Sequence, residues 1–120
     1  MSKRPKHKPS EDELVRFVTC GPVIQEVLQG LRFHESAGPF QNSFLAIPQI
    51  SMPVKLDLYL HAADLYRVGR SKGYTIRSSI DCLIAAIAIE NKVPVWHYDR
   101  DFATIARYSS LQEFTRLPQK

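Results

Sequence analysis

Asp81, Asp99 and Asp101 are the residues of this 120-residue chain best placed to do chemistry. Asp81 sits in Ser78-Ser79-Ile80-Asp81-Cys82-Leu83-Ile84-Ala85-Ala86-Ile87-Ala88. That run is apolar nearly all round, so as a helix it is buried on most sides, where a charge needs a reason. Asp99 and Asp101 follow Val93-Pro94-Val95-Trp96-His97, a short β-rich stretch, and in parallel α/β sheets ligands bind beyond the carboxyl ends of the strands. Helix and strand together can bring three acids to one sheet edge, where they repel one another unless a cation neutralises them. Acids without histidine or cysteine partners suit a hard divalent ion, Mg²⁺ or Mn²⁺, rather than zinc. An ion so held polarises a phosphodiester, generates hydroxide from water and stabilises the leaving oxygen, which is nuclease chemistry.

Each acid also has a purely structural explanation. Ser78-x-x-Asp81 has the form of a capping box, and an acid in a helix's first turn is favoured by the dipole. Asp99 can be a plain N-cap with Asp101 its first-turn companion. Glu26, one residue from an apolar helical stripe, can be a boundary glutamate, and His97 at a strand end is more often a packing or substrate contact than a ligand. Cys20 and Cys82 lack metal-ligand spacing and are expected as buried thiols.

The elements that must position these residues alternate. Leu14 to Val18 has the pattern of a short strand, and Pro22 opens a helix through Val23, Ile24, Val27, Leu28 and Leu31. A short helix and turn are expected between Ala37 and Ile50, and a brief edge strand over Ile50–Val54. A clear helix follows from about Lys55 to Arg70, leaving through Gly69, Arg70, Lys72 and Gly73, glycines and cations that suit a C-terminus. Arg70, Lys72 and Arg77 are also weak candidates for meeting phosphates. After the central helix and the Val93–His97 strand come a short helix over Phe102–Tyr108 and a last strand over Glu113–Arg116. Strands alternating with helices predict an α/β three-layer domain with a mostly parallel sheet.

With 44% hydrophobic and 23% charged residues the composition is that of a soluble globular domain, and no run reaches the length of a membrane span. A cytoplasmic protein is expected. The net charge of +4 is a property of one end: Lys3, Arg4, Lys6 and Lys8 lie in the first ten residues, leaving twelve bases against twelve acids elsewhere. Residues 1–13 are therefore expected as a basic, disordered or extended arm and 14–120 as the domain.

Gly21-Pro22-Val23-Ile24-Gln25-Glu26-Val27-Leu28-Gln29-Gly30, Thr75-Ile76-Arg77-Ser78-Ser79-Ile80-Asp81-Cys82-Leu83-Ile84-Ala85 and His97-Tyr98-Asp99-Arg100-Asp101-Phe102 resemble three signature segments of PIN-domain ribonucleases, specifically toxins of the VapC type. The resemblance covers roughly Leu14 to Leu117. It implies a parallel α/β sheet with helices on both faces, and acidic positions that bind Mg²⁺ or Mn²⁺ to cleave RNA, often a structured RNA such as tRNA. It also implies a homodimer and a VapB-type antitoxin that blocks the site. Carried over by motif, the catalytic and metal-binding acids fall on Glu26, Asp81 and Asp99, with Asp101 an accessory metal ligand.

The family's first strand, apolar and ending in Asp-Thr or Asp-Ser, whose aspartate is by resemblance the first of four metal ligands, has no match before Leu14, so that first catalytic aspartate is expected to be absent too; Ser2 to Ser10 is polar, lysine-rich and broken by prolines. The N-terminal strand is accordingly expected to be missing, with a loss of ladder bonds comparable to the stability of a small domain. Three accounts stay open: a fragment of a working toxin whose reading frame starts upstream, a catalytically inactive relative that acts by binding an antitoxin or other partner, and a generic α/β binding module whose acids are all caps.

Overall fold

The computed structural model describes residues 2–3, 17–31, 37–97 and 99–114. Their order is β1 (Ser2–Lys3), α1 (Gly21–Gln29), α2 (Ala37–Leu45), α3 (Leu56–Ser71), α4 (Ser79–Asn91), β2 (Val95–His97), α5 (Arg100–Ala106) and β3 (Glu113–Phe114). The three strands form one sheet in the order β1-β2-β3, parallel throughout, with Ser2 opposite Trp96 and Val95 opposite Glu113. The α/β class holds.

α4 is the centre of the molecule. Cys82, Ile84, Ala85, Ala86, Ile87 and Ala88 are all buried, as a helix apolar on every side requires. Each of its two fully buried isoleucines contributes about 1.5–3 kcal/mol relative to an exposed position. The alanines let neighbours approach closely, and α3 packs more extensively on α4 than on any other element, through Leu58, Ala62 and Leu65. α4 ends at Asn91 and is capped by Lys92, in the left-handed region at φ 55°, whose N–H and that of Val93 close back onto Ala88. The chain then enters β2, where Trp96 is buried and stacks on Phe17, ring centroids 5.1 Å apart. α3 ends at Ser71, and beyond its cap Gly73 turns the chain at φ 84°, so that Tyr74 N–H bonds Gly69 O at 2.9 Å.

Three expectations change. The missing N-terminal strand is corrected: Ser2–Lys3 supplies β1, parallel to β2, although its residues are polar. Pairing uses backbone N–H and C=O groups, and neither residue is a proline, so the buried strand β2 can recruit this short segment as a neighbour. Ile50–Val54 is not a strand. Gln49 makes a single parallel bridge to Thr19, closed by Thr19 N–H to Pro48 O and Ile50 N–H to Thr19 O, each 2.8 Å, before the chain bends at Ser51. Phe17 and Val18 form no regular strand, because pairing begins and ends at Thr19. Leu14–Arg16, Thr115–Arg116, residues 4–13 of the basic arm and the boundary at residue 13 lie outside the described residues.

Candidate active site

All strands run the same way, so their carboxyl ends share one edge, and the acids gather there. Glu26 projects from α1, Asp81 from the first turn of α4, Asp99 from the N-cap of α5, and Asp101 from the first turn of α5. With Arg77, Ser78, Ile80, Gln25 and Gln29 they line one open cleft of ≈ 430 Å³. Asp81 is 1% exposed and Glu26 8%. The amino end of α4 sets a positive dipole beside Asp81, which favours its carboxylate.

The side-chain capping explanations weaken at this point. Ser78 occupies the N-cap of α4 and Asp99 that of α5, yet neither side chain makes a capping hydrogen bond. Asp101 instead ties the two helices together. Its Oδ2 accepts from the backbone N–H of Ser78 at 2.9 Å and, with Oδ1, from that of Arg77 at 3.1 and 3.2 Å. The Arg77 guanidinium adds an ion pair at 3.8 Å from the outside, where it is more than half exposed. These amides precede α4 and would otherwise be orphan donors, so a residue 23 positions away in sequence caps the helix that carries Asp81.

His97, 1% exposed, lies just behind the cleft. Its Nδ1 accepts the Asp99 N–H at 2.9 Å, and its Nε2 bonds Glu113 Oε1, also at 2.9 Å. Glu113 was not legible in the sequence because its contact with His97 depends on strand register, and the Asp99 amide that His97 holds, two residues on, is backbone with no side-chain signature. Gln25 and Gln29, one turn apart on the polar face of α1, flank Glu26, and that spacing could have marked them as cleft residues. Of the three candidate cations only Arg77 reaches the cleft. Arg70 lies over the Tyr66 ring, 5.6 Å from its centroid, in a separate shallow pocket with Asp64, Arg67, Val68 and Ser71. Lys72 caps the carboxyl end of α3.

Cys20 and Cys82 are buried free thiols, as expected. Burial pushes both up to about 11, and for Cys82 the negative charges of Asp81 and Asp101 push the same way.

Among the described residues lining the cleft none is histidine or cysteine, so the donor set is carboxylate oxygen and fits a hard divalent cation. No three acids, histidines or cysteines among the described residues converge into a ready-made cage. A small hard cation does not need one, since Mg²⁺ takes one or two carboxylates and keeps several waters.

A PIN-domain family profile matches residues 1–108. The chain is similar to VapC ribonuclease Mb1587 of Mycobacterium bovis and to Ribonuclease VapC11 of Mycobacterium tuberculosis strains CDC 1551 and H37Rv. Each is 35% identical over 101 residues, 84% of this chain and 75% of the relative. With that profile spanning nine-tenths of its length and four acids at the carboxyl edge of its sheet, the chain belongs to the PIN-domain family of VapC ribonucleases.

Proposed function

We propose that the chain is an endoribonuclease toxin of a type II toxin–antitoxin system, hydrolysing RNA phosphodiester bonds with Mg²⁺ or Mn²⁺ held by Glu26, Asp81 and Asp99. The observation that carries this is that those three acids, from three separate elements, line one open cleft. When bound, the ion polarises the phosphodiester and lowers the pKa of an attacking water. Glu26 and Asp81 present their carboxylates from helices whose far sides are locked in the core, so the donors are placed before substrate arrives. Asp99 completes the set from the N-cap of α5. Asp101, the accessory acid, acts through the backbone by fixing the start of α4. Arg77, exposed at the rim, attracts the RNA backbone without reading sequence, with Arg70 and Lys72 as more distant steering charges.

The same reading extends to partners. The substrate is a structured RNA such as tRNA, the inhibitor is a VapB-type antitoxin, and the active species is a cytoplasmic homodimer. Exposed apolar side chains on and between α2 and α3, Phe40, Leu45, Met52, Leu56, Tyr59 and Leu60, support a protein partner. Among the described residues no helix is long and apolar enough to cross a membrane.

The test is cleavage of bulk RNA by this chain with and without Mn²⁺, beside Asp99→Asn, with a circular-dichroism melt of both. The parent should cleave only with the metal, and Asp99→Asn should lose about 100-fold or more, the scale for removing one transition-state stabiliser, with its melt unchanged. Equal cleavage by both proteins, or a folded parent that leaves RNA intact, overturns the assignment.

A further inference from the structure

We infer that His97 and Glu113 form a hydrogen-bonded relay that sets the position of Asp99, which makes His97 a positioning residue of the cleft. The inference rests on the proposed function only in taking Asp99 as one of the working acids. A backbone amide can only donate, so the 2.9 Å contact from Asp99 N–H requires a lone pair on His97 Nδ1. The ring proton is then on Nε2, and it points at Glu113 Oε1, 2.9 Å away. Glu113 opens β3, the neighbour of β2, and its carboxylate therefore selects the tautomer of a ring on the adjacent strand. The ring's other nitrogen captures the chain two residues on, at the N-cap of α5. The opposite tautomer would set two N–H donors against each other at that point.

Packing leaves the ring little freedom. His97 is buried between strands and tilts against Phe102, centroids 5.0 Å apart. Phe102 is itself fully buried in α5, the helix that Asp99 caps. Three fixed points, Glu113, Phe102 and the Asp99 amide, hold one imidazole, and through it the N-cap residue whose carboxylate lines the cleft. Hydrogen-bond partners behind a ligand commonly change metal affinity or activity by about 10–100-fold when removed.

The experiment compares His97→Asn, His97→Gln and Glu113→Ala in the full chain. An asparagine oxygen reaches the place of Nδ1, whereas a glutamine amide reaches that of Nε2. Three readouts are followed: ¹⁵N resonances of the imidazole, hydrogen exchange of the Asp99 amide, and Mn²⁺-dependent RNA cleavage. In the parent the ring should be the Nε2–H tautomer and the Asp99 amide protected. His97→Asn should keep that protection and cleave within several-fold of the parent, while His97→Gln should lose the protection and about 10–100-fold in cleavage. Glu113→Ala removes a side chain that is 29% exposed, so the fold should survive while the tautomer becomes mixed and the amide exchanges faster. A protonated Nδ1, an unprotected Asp99 amide in the parent, or indistinguishable Asn and Gln variants would overturn the relay. A parent with the Nε2–H ring and protected amide that cleaves no RNA would support the relay while refuting the ribonuclease assignment.

Discussion

Two buried aspartates, 20 positions apart in sequence and lining the same cleft, have different work to do. Asp81 reaches the cleft from a helix whose start is already secured, whereas the Asp101 carboxylate accepts from two backbone amides just ahead of that helix and does the securing. Hydrogen bonds to a charged group are worth about 1.5–3 kcal/mol, more than neutral ones. Asp101→Asn should therefore lower unfolding free energy by about 1–3 kcal/mol in a urea titration, and cleavage should fall along with it. Asp81→Asn should abolish cleavage and leave the urea midpoint nearly unchanged. If the two variants exchanged these behaviours, the division of roles would be wrong. The sequence showed Asp81 as an anomaly because a carboxylate within an unbroken apolar run is conspicuous. It marked Asp101 as a first-turn acid or an accessory metal ligand and gave no sign of its bond to the start of α4, because its partners, the amides of Arg77 and Ser78, carry no side-chain signature.

At the level of elements, the helices were legible and the pairings were not. The apolar run from Ile80 to Ala88 specifies a helix buried on all sides, and Pro22 with the stripe after it specifies another. β1 could not be found this way, since Ser2 and Lys3 have no strand pattern and become a strand by pairing with Trp96 and His97. The junction of α3 and α5 shows a similar dependence on context. Gly69 lies in α3 where a β-carbon would collide with the Tyr108 ring, whose hydroxyl donates to Leu65 O at 2.8 Å. Replacing an interior helical glycine by alanine ordinarily stabilises by about 0.5–1 kcal/mol. Here Gly69→Ala should destabilise by about 1–3 kcal/mol, as overpacking does, because Tyr108 must leave its carbonyl. Thermal melts of Gly69→Ala and of Gly69→Ala with Tyr108→Phe decide the matter: the second change should cost less in the alanine background than alone.

For the molecule as a whole, one core serves both stability and the cleft, and its two thiols make it sensitive to alkali. Cys20 and Cys82 move from 9.0 in the open chain to about 11 in the fold, chiefly through burial, and burial also pushes the Tyr108 phenol up. Below about pH 9 folded and unfolded chains both keep the thiol protons, and stability is unaffected by them. Between about 9 and 11 the unfolded chain releases protons that the native state retains, so stability must fall as pH rises. The urea midpoint should be flat from about pH 7 to 8.5 and decline above it, and Cys82→Ala should flatten the decline. A midpoint independent of pH across that window would mean that the thiols are more accessible than their burial implies. Trp96 gives this molecule one more property. It is the chain's single tryptophan, buried against Phe17 and adjacent in sequence to His97, on the strand that leads to Asp99. Its indole emission comes from the strand behind the cleft and from nowhere else, so a loosening of β2, or an ion or RNA that alters it, can be followed as a colour shift without any label.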